Sequence, residues 1–175
     1  MREAAGETIL FSEGAIARRV EEMAAAIAGG ARRPDIAVPI LVGAFMFAAD
    51  LLRALSRAGL DLPTEFMWLR AYGGEETPGD VLTLKPPTDA VRGKTVLLLD
   101  GVLDTGATFG RARELLFAAG AADIVSAVAV AKRHPNREWE ADYVGFEAGR
   151  DFLYGYGMDR NGAGRGLPQI RIASS

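Results

Sequence analysis

The run Thr95-Val96-Leu97-Leu98-Leu99-Asp100-Gly101-Val102-Leu103-Asp104-Thr105-Gly106-Ala107-Thr108 decides the fold. Its first part, Thr95 to Leu99, is a Val/Leu run of the kind found in a strand buried on both faces. Asp100 to Gly106 then reads as a loop, and an amphipathic helix follows from about Thr108 to Ala119 with Gly120 placed to cap it. Open α/β sheets bind ligands beyond the carboxyl ends of their strands, so chemistry is expected just after Leu99. There, Thr105 to Thr108 offers successive backbone N–H groups and two hydroxyls at a helix N-terminus, a cradle for a phosphate monoester. Asp100 and Asp104 flank that cradle. Carboxylates beside an anion site must face something else, such as sugar hydroxyls, a divalent cation or a proton on a base. The mixture points to a sugar phosphate.

Working outward, Ile16, Val20, Met23, Ala24 and Ile27 recur at helical spacing after Ser12 and Glu13, which predicts a helix over about Glu13 to Ala28. Ile36 to Val42 is an apolar, β-branched run interrupted by Pro39, and after Gly43 a second amphipathic stretch spans about Phe45 to Ala58. Leu62 to Tyr72 alternates weakly, as a strand does. Gly73 to Asp80 is polar and glycine-rich and is predicted to be a mobile loop, with Val81 to Leu84 returning as a strand. Ile124 to Ala131 and Tyr143 to Phe146 supply further strands, and Gly155 to Asp159 is rich in turn residues. Strands alternating with helices predict one α/β domain over 1–175, with a mostly parallel central sheet flanked by helices.

Composition narrows the partners. Twenty basic and twenty-three acidic side chains leave a net charge of -3, which offers no excess of cation to track a nucleic-acid backbone. No long uncharged apolar run suggests a membrane span, and the charged stretch Met1 to Thr8 does not resemble a signal peptide. The absence of cysteine fits a reducing compartment. A cytoplasmic protein without nucleic-acid or membrane partners is expected.

The string from Thr95 to Thr108 resembles the phosphoribosyl-pyrophosphate signature of type I phosphoribosyltransferases, and the likeness extends from about Ile9 to Ile170. Leu41 to Phe47 and Ala49 to Leu51 are similar to the pyrophosphate loop and following helix of hypoxanthine-guanine phosphoribosyltransferases. Phe66-Met67 and Ala71-Tyr72-Gly73 look like the start of their flexible catalytic loop. Lys132, Asp142 to Glu147 and Phe152 to Asp159 look like their purine-binding hood, which the resemblance builds from the N-terminal segment and about 133–175.

What the resemblance implies can be placed residue by residue. Asp104 is the catalytic residue beside the purine N7, as its proton acceptor or donor. Asp100, Thr105, Gly106, Ala107 and Thr108 hold the phosphoribosyl group, and Val42, Gly43 and Arg165 the pyrophosphate. Lys132 meets the 6-oxo group, with Phe152 stacked on the base, Leu153 offering backbone contacts, and Asp159 approaching Mg2+ and the pyrophosphate. Ala71 and Tyr72 belong to the flexible loop. The implied reaction is phosphoribosyl transfer from phosphoribosyl pyrophosphate to a 6-oxopurine, with Mg2+ as cofactor, in a homodimer or homotetramer. Taken singly, Lys132 would serve as a solvated strand-end lysine, Phe152 as a core aromatic and Arg165 as a surface charge. Their joint order gives them meaning.

Several contact positions depart from the family pattern. Gly101 replaces the second of two acids, Val42 and Ala44 replace a lysine and a hydroxyl residue, Ala71 a serine, and Ala107 a lysine. These losses motivate an alternative, a nucleotide-binding regulatory protein on the same fold with little or no activity. They also suggest that restoring the acid, Gly101→Asp, tightens phosphoribosyl pyrophosphate binding wherever the backbone accepts a side chain.

Overall fold

The computed structural model describes residues 8–71, 81–135 and 139–173, apart from the Ala71 side chain. The elements are β1 (Thr8–Phe11), α1 (Glu13–Ala28), β2 (Ile36–Leu41), α2 (Phe45–Arg57), β3 (Met67–Ala71), β4 (Val81–Lys85), β5 (Thr95–Leu103), α3 (Ala107–Ala118), β6 (Asp123–Lys132), β7 (Tyr143–Ala148), β8 (Leu153–Tyr154) and β9 (Ile170–Ile172). Tyr72 and the loop expected over Gly73 to Asp80 lie outside the described residues.

Among the described residues six strands form the central sheet in the order β4-β3-β2-β5-β6-β7. The five from β3 to β7 in that order run parallel, and β4 joins the edge antiparallel to β3. The apolar run of β5 is explained by its two faces. Leu97 and Leu99 pack against α1 and α2 with Ile27, Phe47, Leu51 and Leu55. Val96 and Leu98 pack on the other side with Phe109, Ala112 and Leu116 of α3. Each residue from Val96 to Leu99 is therefore buried whichever way it points.

Two local features differ from the sequence reading. Pro39 does not interrupt β2, where it pairs with Leu99 of β5. The N–H of Ala37 points to Pro63 O at 2.9 Å, and the position two residues on faces the same way, just before pairing with β3 begins at Ile40. Proline's missing donor thus falls at an edge between two pairings. The second difference is that β5 runs on to Leu103 instead of ending at Leu99, because β6 stays extended and apolar beside it, giving the pairs Asp100↔Val128 and Leu103↔Ala131. Asp100 is consequently a strand residue and not part of a loop.

A small antiparallel sheet of order β1-β9-β8 joins the N-terminal segment to the C-terminal one. Its three short strands, of four, three and two residues, have no long periodic pattern in the sequence. Among the described residues no helix is long and apolar enough to cross a membrane.

Candidate active site

A pocket of about 440 Å³ opens where β2, β3, β5 and β6 end. This is the carboxyl edge that a parallel sheet offers to ligands. The pocket brings together Val42, Gly43, Asp100, Asp104, Thr108, Lys132, Phe152, Leu153, Asp159 and Arg165 of the residues expected from sequence. Thr105, Gly106 and Ala107 form the turn between Asp104 and Thr108 and are not wall residues. Ala71 ends β3 with its side chain undescribed, and Tyr72 lies outside the described residues. Trp68 and Arg70, which sequence reasoning missed, also line the pocket, as do Val102 and Met158, which lay within the signature and hood stretches without a role of their own. The signal for the first two was present in the alternation of β3, where buried Met67 and Leu69 leave Trp68 and Arg70 on the opposite face.

Asp100 is 9% exposed and accepts a hydrogen bond from the Gly101 N–H at 2.7 Å. Burial pushes its carboxyl up to about 7, against the opposing effect of the Gly101 and Val102 backbone N–H groups. A carboxylate so placed gains from any donor that enters the pocket, such as a sugar hydroxyl. Lys132 closes β6 and is buried, with its Nζ 2.9 Å from Asp104 Oδ2. Asp104 itself is half exposed, so one acid edge and one ammonium face the pocket side by side.

Helix α3 begins without a side-chain cap, because Gly106 takes a left-handed conformation (φ 94°) as its N-cap. The Ala107 N–H donates to Thr105 Oγ1 at 3.4 Å, a long bond that leaves the helix start available to an anion. Trp139 packs against this turn. A Cβ built on Gly106 would lie 3.2 Å from its ring, and one on Gly110 only 2.7 Å from its Nε1. The Arg113 guanidinium covers the indole at 5.0 Å.

The segment 42–44 is held by close backbone approach. A Cβ on Gly101 would lie 2.6 Å from Gly43 O and 3.0 Å from Gly43 C. Gly157, with φ 98°, also has no room for a Cβ against the same carbonyl. Gly101 thus lets the 42–44 segment lie against β5, and a side chain at 101, the condition for an acid there to restore a ribose contact, requires that segment to shift. The 155–158 turn is in turn tied to α2. Tyr156, at φ 49°, donates from its hydroxyl to Asp50 Oδ2 at 2.8 Å, and burial followed by that hydrogen bond pushes its phenol well above the ordinary tyrosine range.

Asp159 and Arg165 pair with one another at 2.6 Å. Arg165 also donates to Gly157 O at 2.7 Å, and Asp159 Oδ2 accepts from the Gly162 N–H at 2.8 Å. Among the described residues no group of three or more His, Asp and Glu side chains could hold a metal ion.

Against known proteins, the phosphoribosyl transferase domain family matches residues 7–160. The hypoxanthine-guanine phosphoribosyltransferase of Aquifex aeolicus is 36% identical over 97% of each chain. That of Bacillus subtilis is 30% identical, covering 95% of this chain and 92% of its own. Among solved structures, the hypoxanthine phosphoribosyltransferase of Trypanosoma cruzi in complex with the product IMP superposes with a TM-score of 0.87 at 31% identity, covering 99% of this chain and 97% of that one.

Proposed function

The chain belongs to the hypoxanthine-guanine phosphoribosyltransferases of the phosphoribosyl transferase domain family, and from that premise we propose that its pocket moves the 5-phosphoribosyl group of phosphoribosyl pyrophosphate onto hypoxanthine or guanine in purine salvage. The observation that carries this reading is the Asp104–Lys132 pair at 2.9 Å. On a 6-oxopurine, O6 and N7 share one edge. Lys132, an obligate donor, suits O6, and Asp104, an acceptor when ionised, suits an N7–H.

The bond changes follow from that docking. The N9 lone pair forms the bond to C1′ of the ribose while the bond from C1′ to the pyrophosphate oxygen breaks, its electrons leaving with pyrophosphate. The N7 proton passes to Asp104. Asp100 accepts from the ribose hydroxyls, and the open start of α3, with Thr105 and Thr108, takes the 5′-phosphate. Phe152, 47% exposed, offers a ring face for the base, with the small sheet acting as a hood. The 42–44 backbone and Arg165 receive the pyrophosphate.

Mg2+ fits the carboxylates present as an ion carried by the substrate. Such sites use one or two carboxylates and complete the shell with phosphate oxygens and water, so a three-carboxylate cluster is not required. Asp159 would hold it, and when bound it neutralises charge on the pyrophosphate. A cytoplasmic location and a homodimer or homotetramer belong to the same proposal and rest on family likeness.

The alternative of an inactive nucleotide-binding regulatory protein has less support. The relatives match over nearly the whole chain and are named as enzymes, and the retained acids and cations converge on one pocket. The test is nucleotide formation from phosphoribosyl pyrophosphate with Mg2+ and, separately, hypoxanthine, guanine, xanthine and adenine. Formation with 6-oxopurines is expected; no nucleotide with any base would overturn the proposal.

A further inference from the structure

Among the described residues three acids and three cations line the pocket, and two of the cations are already engaged. Lys132 is paired with Asp104 and Arg165 with Asp159. The third, Arg70, makes no side-chain hydrogen bond or ion pair among the described residues. Its ligand would be strongly anionic, since pyrophosphate and its ester carry several negative charges within a few ångströms. The 42–44 segment that should receive that group has backbone N–H groups but no cationic side chain, because Val42 stands where the family pattern has lysine.

The sheet brings Arg70 to the place where that charge is missing. β2 and β3 run parallel with Leu41 opposite Trp68, so the chain leaving β2 at Val42 and Gly43 lies beside the next residues of β3. Two residues further along β3, on the same face as Trp68, stands Arg70. It is exposed and lines the pocket with Val42 and Gly43. A guanidinium presents several N–H groups in a plane and binds phosphate oxygens two at a time, which an ammonium does less well.

We infer that Arg70 is a substrate-binding residue that supplies the cation for the pyrophosphate group, replacing from β3 the charge that Val42 has removed from the loop. The inference rests on the phosphoribosyltransferase reading. It adds that the binding of the two halves of the reaction is separable in this chain, with pyrophosphate and phosphoribosyl pyrophosphate depending on Arg70 and the nucleoside monophosphate independent of it.

The experiment measures, by calorimetry with Mg2+ present, the affinities of pyrophosphate and IMP for the wild-type protein, Arg70→Gln, Arg70→Lys, and Arg70→Gln combined with Val42→Lys. Loss of a charge-assisted contact corresponds to a weakening of roughly ten- to a hundredfold. Arg70→Gln should weaken pyrophosphate by that factor and raise KM for phosphoribosyl pyrophosphate, while IMP affinity and KM for hypoxanthine change less than about twofold. Arg70→Lys should keep much of the affinity, and Val42→Lys should recover part of what Arg70→Gln loses. Unchanged pyrophosphate affinity in Arg70→Gln overturns the inference, as does a parallel fall for IMP and pyrophosphate, which would mark a structural role. A wild-type protein that binds IMP and pyrophosphate but shows no Arg70 effect leaves the enzyme reading standing; one that binds neither removes both.

Discussion

Gly101→Ala tests whether the missing acid at this position is a loss or a packing requirement. The new Cβ would sit 2.6 Å from Gly43 O, where ordinary contact begins at 3.4 Å, so the 42–44 segment must retreat by about 0.8 Å. Gly101 does not have a positive φ, so the cost is steric and not conformational. Overpacking of this kind costs about 1–3 kcal/mol. For a chain of this length that corresponds to a fall in Tm of about 2–12 °C. The displaced segment is also a wall of the pocket, and a misplacement near 1 Å can cost on the order of a hundredfold in rate. Because Gly157 approaches the same carbonyl, the shift is passed to the 155–158 turn. Thermal melts and initial rates on one preparation should therefore show lower stability together with a higher KM for phosphoribosyl pyrophosphate. Gly101→Asp should be worse, since it adds a second carboxylate beside buried Asp100. A Gly101→Asp protein with wild-type Tm and tighter phosphoribosyl pyrophosphate binding would refute the packing account.

Asp104→Asn should lower kcat by about 10²–10⁴-fold with a much smaller change in IMP affinity, because an amide keeps the shape without accepting the N7 proton; equal losses in the two measurements would count against a proton-acceptor role. Adenine should be a poor acceptor, since its 6-amino group would face Lys132 donor to donor at a cost of about 1–3 kcal/mol; comparable kcat/KM for adenine and hypoxanthine would remove Lys132 from this role. Asp100 keeps its proton up to about 7 in the folded protein but loses it near 4 when unfolded, so its contribution lowers stability as pH rises from 4 to 7, by at most about 4 kcal/mol. Asp100→Asn should then flatten the dependence of Tm on pH across that window, and parallel curves for the two proteins would show that the carboxyl is not the cause. Tyr156→Phe should cost about 0.5–1.5 kcal/mol in denaturant melts, since Asp50 loses the tyrosine donor but keeps Arg53 and some water, and no measurable change would mean that water replaces the hydroxyl.

How much of this was legible in the sequence depends on whether a residue's role is set by its neighbours along the chain or by those across space. The β5 to α3 unit was readable because an unbroken Val/Leu run, an acid, a glycine and a helical period are all local signals. The length of β5 was not, since only the ladder to β6 carries Asp100 through Leu103 as strand. The strands of the small sheet escaped for the same reason: β1, β8 and β9 are two to four residues each and are strands only because they pair with one another. Gly101 shows the limit most sharply. Along the chain it reads as an acid gone missing, and the natural inference is a weakened sugar site. In space its hydrogen is what admits Gly43, with β5 and the 155–158 turn meeting at one carbonyl, so the same substitution that removes a carboxylate also permits the loop to lie close. Arg70 is the converse case, unremarkable beside Leu69 and Ala71 in the chain but lining one pocket with Val42, where β2 and β3 end side by side. Departures from a family pattern read singly look like decay; read across the sheet, Gly101 and Val42 each have a physical counterpart, and it is this pairing that makes the site's activity the expectation to test.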